Sequence, residues 1–201
     1  MSIKHAKVLD DKQFAKLLAK VSAGEHGLRD RVMMLLSYKA GLRAQEIAGL
    51  EWSAMTDADG DVIVPKQDDS EDGDTGFTIG SHIAKKGHER TVPMHPMLYG
   101  ALLALREARP NDIYLIYGIR SERMTPNHVT VWFHRLYSVQ GLKGCSSHSG
   151  RRTFITTAAR RCNLHGCSLK DVQLLAGHKR LETTEAYLEA SASVHRLMAA
   201  L

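Results

Sequence analysis

The spacing of apolar residues changes twice along the 201-residue chain, and that change limits the fold class before any motif is considered. Residues 10–21 (DDKQFAKLLAKV) put Phe14, Leu17, Leu18 and Val21 on one helical face. Residues 28–40 form a second, more apolar helix that Gly41 closes, and AQEIAGLEW adds a short third one. The period then becomes that of strands. Val62-Ile63-Val64 (ended by Pro65), the alternating Phe77, Ile79 and Ile83, and Arg90-Thr91-Val92-Pro93 read as three strands, with Lys86-Gly87 supplying turn chemistry before the last. Helical pattern returns at about 95–108, after the Thr125 cap and Pro126, at 148–161 behind Ser146 or Ser147, and at about 168–176 and 180–189. The expected class is mostly α with a small three-stranded antiparallel β-sheet.

Composition narrows the function. A hydrophobic fraction of 43% and a charged fraction of 24% are those of a globular chain and exclude a disordered or fibrous one. Three Cys residues are too few for a disulfide framework and fit a reducing compartment. No stretch approaches the ~20 apolar residues of a membrane span, and MSIKHAKVLDDKQF has no apolar signal region. A cytoplasmic protein is expected. The formal charge of +5 is unevenly spread: residues 57–74 hold eight acids and one Lys. Removing them from the 27 basic and 22 acidic residues leaves 26 against 14, a balance of +12 on the rest of the chain. A basic body with one acidic loop between its first two strands points to a polyanionic partner.

Four segments carry the chemistry. AGLRAQEIAGL places Arg43 three residues before Glu46; AKKGHERTVPM puts Lys85 and Lys86 at the tip of the expected hairpin; SSHSGRRTFITTAARR separates His148 from Arg151 by three; and in LLAGHKRLETTEAYLE His178 precedes Tyr187 by nine. Two guanidiniums can clamp the non-bridging oxygens of a phosphodiester as negative charge builds on them. A helix start bearing His148 and Arg151 offers backbone N–H groups to a phosphate as well. A phenol is neutral at pH 7 and needs neighbouring cations and a base to attack. The residues also leave a competing use open, because Cys145-x-x-His148 and Cys162-x-x-His165-x-Cys167 carry thiolate and imidazole at partly zinc-like spacing.

Together these segments, over about residues 10–190, resemble the catalytic domain of the tyrosine recombinases, the phage integrase family. The family pattern is an Arg in a G-[LF]-R-x-x-E-[IL] box, a hairpin Lys, an H-x-x-R box, a G-H box and a Tyr nine residues later. The resemblance implies that Arg43, Lys85, His148, Arg151, His178 and Tyr187 are catalytic, with Glu46, Lys86 and Arg152 in support, and that neither metal nor nucleotide cofactor is needed. It implies that Tyr187 attacks the scissile phosphate, giving a 3′-phosphotyrosine and a 5′-hydroxyl, while the hairpin Lys protonates the leaving oxygen. The family Lys stands five residues before the Arg of the R-x-V-P strand, which selects Lys85, with Lys86 as runner-up. Gly150-Arg151-Arg152 departs from the family's usual Leu-Arg-His, so Arg152 replaces a frequent His. The interval from Arg151 to His178 is a few residues longer than usual, and the excess is expected in the Asn163–Cys167 loop.

The implied function is a site-specific DNA recombinase or integrase, bacterial or phage- or mobile-element-encoded and nucleoid-associated. The implied partner is double-stranded DNA, with a monomer in solution and a homo-tetramer on the DNA, and an accessory DNA-bending or clamp protein. Two alternatives share the fold: a nicking–closing enzyme like a type IB topoisomerase, and a DNA-binding regulator without catalysis. Residues 1–201 are expected to be one catalytic domain, with 1–9 an N-terminal extension and 190–201 a tail, in which Val194, Leu197, Met198 and Leu201 have the spacing to dock on a neighbouring protomer. Only 42 residues precede Arg43, so the separate helical clamp common in the family is not expected; either a partner supplies that clamp, or the basic body is expected to bind DNA from one face only. The affinity of this chain for DNA should then be weak and fall steeply with salt, which a binding titration from 50 to about 200 mM salt would measure; tight, salt-insensitive binding would contradict the one-sided grip.

Overall fold

A computed structural model describes residues 6–66, 76–84 and 89–188. The acidic stretch 67–75, the first five residues, the strand-to-strand tip 85–88 and the segment from 189 onward, including the tail expected to dock on a neighbour, lie outside the described residues. The chain divides into two compact units, Met1–Phe154 and Ile155–Leu201.

In the first unit, α1 (Asp11–Ser22) begins with a capping box, Asp10 accepting from Gln13 N and Gln13 from Asp10 N, and buries the Phe14, Leu17, Leu18 and Val21 face read from the sequence. α2 (Gly27–Lys39) is apolar nearly all round: Val32, Met33, Met34, Leu35 and Leu36 are wholly inaccessible. A helix of that kind needs cover on several sides, and α2 packs on both α1 and α4 (Pro96–Ala108). α3 (Ala44–Gly49) packs on α5 (Pro126–Val139), which Thr125 caps through the His128 N–H with Pro126 in its first turn.

Among the described residues the sheet has two strands, not three. β1 (Gly76–Ile79) pairs antiparallel with β2 (Arg90–Pro93), Phe77 opposite Val92 and Ile79 opposite Arg90. Val62 makes only an isolated bridge to Thr56. The Asp57 carboxylate accepts the N–H groups of Asp59 and Asp61, folding the chain into a tight turn that returns Ile63 N to Met55 O. The hydrogen bonds of the expected strand are thus spent locally. Ile83 is not in β1 either. It lies in a turn where Ile83 N and Ala84 N both donate to Gly80 O, and it is buried on α3, where a Cβ at Gly49 would stand 2.4 Å from its Cγ2.

α6 (Ser149–Arg161) begins in the first unit and ends in the second. His148 sits just outside its first turn, its carbonyl accepting from Arg152 N. At the start of α6 the backbone approaches α2 closely: a Cβ on Gly150 would lie 2.2 Å from Ser37 Oγ and 2.8 Å from two carbons of the Tyr38 ring. The departure from Leu at this position is therefore matched by the bulk of Ser37 and Tyr38.

In the second unit, α6 leads into a 3₁₀ turn (Cys162–His165) and a left-handed Gly166, where the longer interval was expected. α7 (Leu169–Ala176), opened by a Ser168–Asp171 capping box and closed by Gly177, packs on α8 (Leu181–Glu185). No helix of the described residues is long and apolar enough to cross a membrane. Gly150→Ala should cost about 1–3 kcal/mol through overpacking, read as a lowered urea midpoint; an unchanged midpoint would mean that the close contact yields freely.

Candidate active site

The first unit builds its part of the site around one carboxylate. Glu46 occupies the third position of α3 and is wholly buried. Its Oε2 accepts Arg43 N at 2.8 Å, the N-terminal hydrogen bond that a Glu at this position offers a helix. Its Oε1 accepts Arg43 Nη1 at 2.8 Å. Arg90, from the first position of β2, adds a two-pronged contact, Nη1 to Oε1 at 2.9 Å and Nη2 to Oε2 at 2.8 Å. Burial pushes the Glu46 carboxyl up, but the bonds and charge of Arg90, followed by those of Arg43, outweigh it and hold the group below the ordinary carboxylate range. Two cations on one anion leave a net positive cluster.

Arg43 follows the turn that ends α2. Gly41 adopts a positive φ of 67°, and a side chain there would meet the Phe154 ring at 2.3 Å. Arg151, third residue of α6 and 4% exposed, donates from Nη1 to the carbonyl of the same Gly41 at 2.6 Å. Both candidate clamp arginines are thus referenced to one three-residue turn, Gly41 to Arg43. His148 is exposed and its N–H donates to Ser146 Oγ at 3.3 Å; Arg152 is half-buried on α6. Lys85 and Lys86 lie outside the described residues.

The second unit holds the other two candidates. The His178 and Tyr187 rings are stacked, centroids 5.7 Å apart and 25° between planes. Thr184, wholly buried, ties them together: its Oγ1 pairs with His178 Nδ1 at 2.9 Å and its carbonyl accepts Tyr187 N at 3.0 Å. Gln173 fixes the His178 backbone, Nε2 donating to its carbonyl at 2.9 Å. Cys162 is buried with its thiol against Ala159 O, whereas Cys167 is exposed. Among the described residues no three His, Cys, Asp or Glu side chains form a group able to hold a metal ion.

Three contributors escaped sequence reasoning. Arg90 was read there as a strand residue and as the mark for counting back to the lysine, although its place on the same face as Val92 was visible in the strand alternation. Thr184 stands three residues before Tyr187, a helical neighbour spacing, and Gln173 had no signal. In the first unit, a cleft of about 730 Å³ is also lined by Arg29, Arg120, His128 and Arg135 beside Trp132 and Ile119; within it Arg29 and Trp132 both donate to the Asp30 carboxylate, at 2.7 and 3.2 Å.

Compared with known proteins, residues 7–193 match the model of the phage integrase family. The tyrosine recombinase XerD of Pseudomonas aeruginosa is 32% identical over 172 residues, 80% of this chain and 49% of its own length. The tyrosine recombinase XerC of Corynebacterium glutamicum is 27% identical over 191 residues, 92% of this chain and 55% of its own. The chain spans about half the length of these relatives. Among solved structures, the Tn1549 transposon integrase in complex with a circular intermediate DNA has a TM-score of 0.74 at 18% identity, covering 100% of this chain and 67% of that one. XerA recombinase has a TM-score of 0.65 at 22% identity, covering 98% and 65%. These likenesses identify the fold.

The depressed Glu46 carboxyl carries a pH signature. Its stabilisation is present above the unfolded value of about 4.3 and is lost as pH falls through the lower folded value. Glu46→Gln should lose about 3 kcal/mol at pH 7, because two part-buried guanidiniums lose their buried anion. It should also flatten the fall in stability below about pH 4. Urea midpoints measured between pH 3 and about pH 7 check both; parallel curves for the two proteins would refute the assignment.

Proposed function

The chain belongs to the phage integrase family, and from that premise we propose that it is a site-specific DNA recombinase working through a covalent 3′-phosphotyrosine on Tyr187. One observation carries the reading: Arg151 donates to the carbonyl of Gly41, two residues before Arg43, whose guanidinium is held by Glu46. Two arginines set from one turn suit the two non-bridging oxygens of a phosphodiester.

In this scheme Tyr187 Oη bonds to phosphorus and the bond from phosphorus to the 5′ oxygen breaks. Lys85 supplies the proton for that oxygen, His148 takes part in moving the phenol proton, and His178 binds the phosphate or supports His148. A 5′-hydroxyl from another strand then reverses the step, so the bond energy is kept in the phosphotyrosine and no nucleotide is consumed. The net positive Glu46 cluster and the basic cleft of the first unit are consistent with a polyanionic substrate. Four strand cleavages on two duplexes call for four protomers, assembled on DNA from monomers, with an accessory bending or clamp protein completing the grip. Both compact units are taken as parts of one catalytic domain, acting at the nucleoid in the cytoplasm.

The test uses nicked duplexes with a randomised core, which trap the intermediate because the short strand downstream of the cut diffuses away. After denaturation, protein–DNA adducts should be recovered with a common core sequence, and Tyr187→Phe should give none. Product strands exchanged between duplexes support recombination. Supercoil relaxation without exchange would favour a nicking–closing enzyme, and binding without any adduct would favour a regulator.

A further inference from the structure

The backbone and the ring plane of His178 are held by separate groups. Gly177 closes α7 in the left-handed conformation, with φ 61°, and the chain returns so that His178 N donates to Gln173 O at 3.0 Å. Gln173 Nε2 donates in turn to His178 O at 2.9 Å. The ring stacks on that of Tyr187, centroids 5.7 Å apart and 25° between planes. These holds place the imidazole, but none of them distinguishes one ring nitrogen from the other. A neutral imidazole carries a single ring N–H, so one nitrogen donates and the other accepts.

Thr184 makes the distinction. It is wholly buried, and its Oγ1 lies 2.9 Å from His178 Nδ1. Among the described residues that nitrogen is the one hydrogen-bond partner of the hydroxyl. A helical threonine hydroxyl often donates to the carbonyl four residues back, but Arg180 O accepts Thr183 N at 3.2 Å and not this hydroxyl. If Nδ1 carried the ring hydrogen, the Thr184 hydrogen would be buried without an acceptor, a state that folded proteins seldom keep. If the hydroxyl donates to a bare Nδ1, both hydrogens are accounted for and the ring hydrogen stands on Nε2.

We propose that Thr184 is a positioning residue that fixes His178 as the Nε2–H tautomer; the use made of that hydrogen rests on the recombinase reading. His178 then meets the scissile phosphate as a hydrogen-bond donor to a non-bridging oxygen and not as a base, because its electron pair at Nδ1 is engaged by the hydroxyl. The carbonyl of Thr184 accepts Tyr187 N at 3.0 Å. Donor and nucleophile are thus set from one buried residue.

The experiment joins ring-nitrogen NMR to single-turnover adduct formation. The full chain carries isotope-labelled histidine and is studied at about pH 8, above the ordinary imidazole range. The His178 signals are identified by their loss in His178→Gln. The unaltered protein should show Nε2 protonated and Nδ1 bare and hydrogen-bonded. Thr184→Val keeps the shape of the side chain and removes the hydroxyl; it should shift the Nδ1 signal and give a mixture of the two tautomers. On a nicked duplex recovered from the randomised library it should form the phosphotyrosine adduct about tenfold or more slowly than the unaltered protein. Thr184→Ser restores the hydroxyl, and should return the signals to their places and the rate to within about threefold. A hydrogen on Nδ1 in the unaltered protein would overturn the proposal, whether or not any variant folds. So would unchanged His178 signals in a folded valine variant, or an unchanged rate. If the unaltered protein shows the Nε2–H ring yet forms no adduct on any duplex, the recombinase reading fails and the use of the hydrogen with it, while the tautomer assignment stands.

Discussion

The local structure of the first unit turns on a single buried anion. Glu46 has no solvent exposure, and a charge in that position is tolerated only if its lone pairs are filled by strong donors. The donors come from two places. Arg43 supplies its backbone N–H and one guanidinium nitrogen from the start of α3, and Arg90 supplies two more from the base of the hairpin. The demand of one carboxylate therefore fixes where a helix begins, how a strand is anchored and which way a candidate arginine is held. Removing any one donor leaves the others in place but unbalances a charge that water cannot reach.

The remaining candidates obey the same logic with smaller groups. Arg151 is oriented by a neutral backbone acceptor, Gly41 O, and the turn that presents this carbonyl needs the left-handed conformation of a glycine next to the Phe154 ring. α6 starts close to α2 because Gly150 carries no side chain. In the second unit a buried threonine hydroxyl takes His178 Nδ1, while the same residue's carbonyl starts the turn ending at Tyr187. Arg43, Arg151 and His178, three of the candidates, are thus each held by a partner in the protein: Glu46, the Gly41 carbonyl and Thr184.

Where the sequence pattern and the structure part, competition for hydrogen bonds explains the difference. Val62, Ile63 and Val64 form a short apolar run of the kind a strand shows, but the Asp57 turn brings Ile63 N to Met55 O and Val62 into a bridge with Thr56. Ile83 has the period of a strand residue, yet Gly80 collects two N–H groups and turns the chain so that Ile83 buries on Gly49. Period records which residues seek burial; it does not record whether a sheet or a turn will deliver them there.

The helices, their caps and the short boxes that hold the candidate residues were legible in the sequence, because they depend on residues three or four apart or on short spacings. Asp10 with Gln13, Thr125 with Pro126, Arg43 with Glu46, and Gly177-His178 before Tyr187 all belong to that class. The tertiary structure alone decided which partner orients which group. Arg90 is 44 residues from Glu46, and Arg151 is 110 from the carbonyl it uses. No local period encodes such pairs. They arise because burial brings distant polar groups into one dry place, where each must find a partner or bear the cost of desolvation.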